Sequence, residues 1–501
     1  MSGSKNLDFW MLSLVGAALA GALPACSDAS IERSPRDTLD WQRCSEGLSG
    51  SELSAECAVA EVPLDHADPQ GRTIELAVRR LRKGAPARAQ LWVLAGGPGD
   101  SATEQIEQLG HGAWNFPGGV DIYAVDHRGT GGSGKLECRS SELADCGEEL
   151  RQMHGQSWLD RLTSADSARD LDWLMTRVTP DSTPVYIYGG SYGTYLAQRF
   201  LQLFPERPSG VVLEGVATLE RPFDGYDRAM NEQGRAALLE CEQDPTCRAH
   251  FRRPVWEEAV HAVAEYDERG CSSKLSSGAL RALLATVAME TQLLPYLPVL
   301  VRRAASCTPR DAAALEHFSA ILEMLGASAG GSTALGAHVS LSELMSHTSD
   351  AATLSDNLLT YTVATGVEAT LASAAGKWPV YVPDPSPSDW PQYSGPLLML
   401  VGALDPATTP QLARQVSENY GSSTQTLHVF PHTAHSVIGA TGGADGEDCA
   451  AGLFERFLAD PSASPAADCV ERVLPLKFPG RSEPADGLGA QLLGDRNVWG
   501  D

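Results

Sequence analysis

Three short runs rich in β-branched and aromatic residues, at 91–94, 120–125 and 185–188, each lead into a glycine-rich turn. That rhythm leaves few folds open. Strands that feed crossover helices and return beside one another build a mostly parallel sheet. The third unit is the sharpest. Gly189-Gly190-Ser191-Tyr192-Gly193 lies between the run at 185–188 and a helical pattern carrying Tyr195, Leu196, Phe200, Leu203 and Phe204. A strand, a sharp turn and a helix would hold Ser191 in a strained conformation with its Oγ above the sheet edge, and the helix N-terminus behind it favours negative charge. A second G-x-S-x-G, Gly326-Ala327-Ser328-Ala329-Gly330, follows a helical pattern and runs into more Gly and Ser, so Ser328 reads as a loop serine.

From 220 to 379 the strand signals fade into Ala-, Leu- and Glu-rich helical spacing, and they return at 396–401 and 426–430. A helical insertion therefore interrupts one sheet. The expected partition is a lipoprotein signal peptide at 1–25, a linker at 26–40, a core at 41–219, a helical cap at 220–380, the rest of the core at 381–480 and a tail at 481–501.

A nucleophilic serine needs a base for its proton and a carboxylate to orient that base. Asp405 follows the run at 396–401, in Gly402-Ala403-Leu404-Asp405-Pro406. Two histidines follow the next run, in Pro431-His432-Thr433-Ala434-His435, and His435 is preferred because it sits farther into the loop that must reach Ser191. Ala95-Gly96-Gly97-Pro98-Gly99 follows the run at 91–94, placing the Gly97 amide as one oxyanion donor and the Tyr192 amide as the other. Gly129-Thr130-Gly131-Gly132-Ser133-Gly134-Lys135 imitates a phosphate loop, but Leu136 stands where a magnesium-binding Ser or Thr belongs.

Lys and Arg number 38 against 64 Asp and Glu, and a net charge of −26 opposes binding to a polyphosphate backbone, so no nucleic-acid partner is expected. Residues 9–25 are uncharged and end in Leu23-Pro24-Ala25-Cys26, which looks like a lipoprotein signal with Cys26 as the lipidated residue. Lipid on Cys26 would attach the protein to a membrane outside the cytoplasm; ordinary secretion and a retained anchor are the alternatives, and both also place it there. The ten remaining cysteines, an even number in an exported chain, read as disulfides. Pairing in chain order closes five short loops, Cys44–Cys57, Cys138–Cys146, Cys241–Cys247, Cys271–Cys307 and Cys449–Cys469. Their spacing signals no metal site, and no cofactor is expected.

Together, Gly96-Gly97-Pro98-Gly99, Asp126-His127-Arg128-Gly129-Thr130-Gly131, Gly189-Gly190-Ser191-Tyr192-Gly193-Thr194 and Asp405-Pro406 with Thr409-Pro410 resemble a known family. It is that of exported serine peptidases of the α/β-hydrolase fold, which include proline iminopeptidases and tripeptidyl aminopeptidases. The resemblance spans about 41–469, its last part looks like the tripeptidyl-aminopeptidase ending, and the order Ser191, Asp405, His435 is that of the fold. It departs at Ala95, where proline iminopeptidases carry His, and at Ala434, where Gly is usual.

The resemblance implies an α/β-hydrolase sheet with an inserted helical cap, release of short peptides or single residues from a free N-terminus, and no cofactor. It also makes Asp126 and Arg128 braces of the sheet edge, read here as one ion pair. Acidic cap residues of relatives hold the substrate ammonium; their motif is faintly echoed at Ser340-Leu341-Ser342-Glu343, so Glu343 is the expected amine anchor, with a solvated helix face as the alternative. The expected protein is a lipid-anchored serine aminopeptidase acting on short peptides. An esterase or acyltransferase of the same fold, and an inactive surface-binding lipoprotein, are the rival readings; the oligomeric state stays open.

Overall fold

The computed structural model describes residues 38–44, 53–83, 87–110, 119–326, 330–346, 350–463, 467–485 and 487–501. The expected signal peptide, Cys26 and Ser328 lie outside them. The strands are β1 (Gln42–Arg43), β2 (Ser54–Pro63), β3 (Thr73–Arg82), β4 (Ala89–Leu94), β5 (Val120–Val125), β6 (Val185–Gly190), β7 (Gly210–Glu214), β8 (Leu397–Gly402) and β9 (Gln425–Phe430). They form one sheet in the order β1-β2-β3-β5-β4-β6-β7-β8-β9. β4 to β9 run parallel, while β1, β2 and β3 enter as an antiparallel edge joined to β5.

β5, β7 and β8 are buried along their whole length, as strands covered on both faces must be. Alternation along β8 divides the core. Leu397, Met399 and Val401 enter one cluster with Tyr195, Leu196 and Phe200 of the helix Tyr192–Leu203. Leu398 and Leu400 enter the opposite cluster with Leu453, Phe454 and Phe457 of the helix Cys449–Ala459. The loops after β4, β6, β7, β8 and β9 therefore open on the same carboxyl edge, the place where an open α/β sheet exposes its chemistry.

Among the described residues no strand falls between β7 and β8. The helical stretch there is two structures. Residues from Met230 to Phe318 build a core of their own, while Ala334, Leu335, Leu341, Leu344, Leu371 and Trp378 pack into the cluster beneath the sheet. The expected tail at 481–501 is a correction. Leu492, Leu493, Val498 and Trp499 belong to the core of the insertion, with Trp499 0% exposed, its ring stacked on His250 at 4.0 Å and its Nε1 donating to Pro479 O at 3.1 Å. Arg303, inside the insertion, donates to Val498 O (3.0 Å), Asp311 (2.9 Å) and Asp495 (2.9 Å). The chain end closes the insertion because its spaced apolar side chains have nowhere else to leave water.

All five expected disulfides join as paired, Cys44–Cys57, Cys138–Cys146, Cys241–Cys247, Cys271–Cys307 and Cys449–Cys469. No helix of the described residues is long and apolar enough to cross a membrane.

Candidate active site

Ser191 sits at φ 54°, ψ −121° between β6 and the helix Tyr192–Leu203. A serine at positive φ carries strain of about 1–3 kcal/mol, which the surrounding bonds must impose. Its N–H donates to Glu214 O at 2.9 Å, and its carbonyl accepts the Thr194 amide (2.9 Å) and hydroxyl (2.6 Å). The turn is this tight only because of two glycines. A Cβ on Gly193 would lie 2.1 Å from Leu94 O, and one on Gly189 would lie 2.3 Å from Gly193 O. Lacking side chains, they let the helix press against both β4 and β6.

The loop after β4 reaches the same place. A Cβ built on Gly96 would stand 3.3 Å from Ser191 Cβ, so the backbone leading to Gly97 abuts the serine. The Tyr192 amide opens its helix and has no acceptor within it. The Tyr192 side chain points away into the core, where its hydroxyl meets Ser164 Oγ at 2.8 Å.

Asp405, 0% exposed, follows β8. Its Oδ1 accepts the amides of Ala407 and Thr408, both at 2.9 Å, and its Oδ2 accepts the Thr408 hydroxyl at 2.7 Å. His435 Nδ1 lies 3.0 and 2.9 Å from the two carboxylate oxygens, which assigns the proton to Nδ1 and leaves Nε2 as the acceptor. His432 is elsewhere engaged, its Nδ1 2.8 Å from Glu240 on the helix Tyr226–Gln243. Gly215 ties the pieces together. It follows Glu214, whose carbonyl holds the Ser191 amide, and a Cβ on it would come within 2.8 Å of His435 Cε1. Any side chain there would push the imidazole from its seat.

Burial favours the neutral form of His435, but Asp405 on Nδ1, with the carboxyl groups of Glu290 and Glu214 nearby, outweighs it and raises the imidazole above its ordinary pKa. A base must be neutral to accept a proton, so activity should rise with pH through that raised value. The acid limb of a kcat/KM profile is expected to have its midpoint above the ordinary histidine value of about 6.5; a midpoint below it would contradict the placement of Asp405.

Glu343 is not where an amine anchor must be. It lies in the π-helical turn Ser340–Leu344, buried, with Oε1 accepting Ser164 N (3.0 Å) and Tyr381 Oη (2.5 Å). Its Oε2 accepts Tyr195 Oη at 2.8 Å and faces Arg199 Nε at 3.6 Å. A carboxylate with these partners ties the insertion to the back of the serine helix, and the solvated alternative fails for the same reason. Glu290 has the opposite setting. It caps the helix Ser277–Met289, directly after the Met289 whose carbonyl accepts the His435 amide at 3.1 Å. Its carboxyl is raised by burial, against the pull of His435, and has no side-chain hydrogen bond or ion pair among the described residues.

Asp126 and Arg128 both brace the sheet edge, but not as a pair. Arg128 grips Asp170 through Nε (2.8 Å) and Nη2 (2.6 Å) and reaches the carbonyls of Leu64 and Arg161. Asp126 accepts Ser101 Oγ (2.8 Å), Thr103 Oγ1 (2.9 Å) and the amides of Thr103 and Gly132. A Cβ on Gly131 would fall 2.0 Å from Asp126 Oδ2. The loop that imitates a phosphate cradle thus curls around the chain's own carboxylate. Among the described residues no group of His, Cys, Asp and Glu is arranged to hold a metal ion.

The sheet order, the serine turn and the Asp405–His435 pair define the α/β-hydrolase fold, and residues 93–249 match the family model for that fold. The chain is an α/β-hydrolase-fold protein. It is similar to the tripeptidyl aminopeptidase of Streptomyces lividans, 27% identical over 252 residues covering 44% of each chain. It is also similar to carboxylesterase B of Mycobacterium tuberculosis, 25% identical over 290 residues covering 48% of this chain and 55% of that one. The matches thus span about half the length of these relatives. Among solved structures it is similar to the proline iminopeptidase of Mycobacterium smegmatis, at TM-score 0.41 and 15% identity over 80% of this chain and 98% of that one.

Proposed function

We propose that this chain is a serine hydrolase that cleaves short peptides from a free N-terminus. The observation that carries the reading is the Asp405–His435 pair set across Gly215 from a strained serine. Ser191 Oγ attacks the scissile carbonyl as His435 Nε2 takes its proton, and Asp405 holds the tautomer and balances the imidazolium. The amides of Gly97 and Tyr192 receive the oxyanion. His435 then protonates the leaving amine, and water releases the acyl group.

Glu290 supports the free-amine preference in place of Glu343. A half-buried carboxyl beside the base, with no cationic side chain paired to it among the described residues, is suited to an ammonium brought by the substrate. The five disulfides support an extracytoplasmic protein, in keeping with lipidation at Cys26. Ester hydrolysis is the second reading, favoured by the name of the mycobacterial relative.

The test is fluorophore release from a tripeptide with a free or an acetylated amine. The free form should be cleaved at least about tenfold better, and Glu290→Gln should raise KM for that form by about tenfold while leaving the acetylated form unchanged, since an ion pair of this kind is worth ~1.4 kcal/mol or more. Equal cleavage of both forms would remove the amine anchor; cleavage of blocked esters alone would favour the esterase.

A further inference from the structure

Glu214 ends β7 and is 7% exposed. Its two halves face two different parts of the site. Its main-chain carbonyl accepts the Ser191 amide at 2.9 Å, fixing the strained residue. Its side-chain Oε1 accepts the amides of Val437 (2.7 Å) and Ile438 (2.8 Å), two and three residues past His435. Its Oε2 accepts the hydroxyl of Tyr188, which lies in β6 three residues before Ser191. The loop bearing His435 is held on its other side by the insertion, through His435 N to Met289 O (3.1 Å), Ala434 N to Thr291 Oγ1 (2.9 Å) and Thr291 Oγ1 to Ser436 O (3.1 Å).

We infer that Glu214 is a positioning residue, which sets the distance between nucleophile and base by gripping the turn of one with its backbone and the loop of the other with its carboxylate. The inference rests on the roles proposed for Ser191 and His435. Without the carboxylate, the His435 loop would keep Asp405, the Leu404 amide on Thr433 O (2.9 Å) and the insertion's Met289 and Thr291 as anchors, and would lose its direct tie to the residue that holds the Ser191 turn. Two amides converging on one oxygen demand an acceptor, and the Glu214 carboxylate supplies it. Displacement by about 1 Å of a catalytic group can cost roughly 10²-fold in rate.

Two substitutions in the full chain separate position from charge. Glu214→Asp keeps the charge and shortens the reach by one methylene. It should lower kcat at least tenfold with KM within threefold of wild type and the acid limb unmoved. Glu214→Gln keeps the reach and an oxygen for both amides. It should retain kcat within about fivefold while the acid limb moves to lower pH, because His435 loses one of the three carboxyl groups, Asp405, Glu290 and Glu214, that face it. A merely structural role would lower the melting temperature of both variants without this division. Glu214→Asp with unchanged kcat, or equal losses in the two variants, would overturn the inference while the wild type stays active. An inactive wild type would overturn the reading beneath it, and the inference with it.

Discussion

Replacing Ser191 with alanine should lower turnover by about 10⁴-fold or more, leaving only what the oxyanion donors and substrate binding supply. Alanine inherits the same φ of 54°, so the fold should melt near the wild-type temperature. Glycine at 191 should be equally inactive yet more stable, by about 1 kcal/mol, because it alone occupies that conformation without a Cβ penalty. The opposite signs matter. A residue whose removal destroys activity and improves stability is retained for chemistry, and calorimetry of the two variants beside a turnover assay would show it. A glycine variant less stable than alanine would mean that the serine is not strained.

The largest loss of stability is expected at Asp170. Arg128 is 0% exposed at its side chain and Asp170 2%, and the pair also engages His66 at 2.7 Å. Removing one partner leaves a buried guanidinium uncompensated, so Asp170→Ala should cost about 3–5 kcal/mol in denaturant unfolding. The pair Arg139–Glu149, with Arg139 91% exposed, is the control, where Arg139→Ala should cost no more than ~0.5 kcal/mol. Equal effects would show that Arg128 finds other acceptors in the carbonyls it already touches.

The parts legible in the sequence are those fixed by local chemistry. Gly189 and Gly193 had to be small for the serine turn to close, and that requirement is visible in five consecutive residues. Strands buried on both faces, such as β8, appear as unbroken apolar runs. β2 and β3 were missed because one more exposed face mixes Glu and Arg into them, as at Glu61, Glu75 and Arg79, and β7 because five residues give too short a signal.

What escaped the sequence was decided by distance along the chain. Glu343 looks like any helical acid until Ser164, Tyr195 and Tyr381 close around it from 148 or more residues away or from 38. Arg128 finds its partner at Asp170, not two residues back at Asp126. Trp499 looked like part of a tail because its cavity is built by residues near His250. Thr408 and Glu214 left no motif, although a hydroxyl three residues after the acid is a local signal that could have been read.

Treating the protein with a fluorophosphonate and mapping the adduct by peptide mass tests the proposed nucleophile, Ser191, without a choice of substrate. One adduct is expected, on Ser191, forming faster as pH rises past the His435 titration and absent from Ser191→Ala. An adduct on another serine such as Ser328, or an active protein that stays unlabelled, would contradict it.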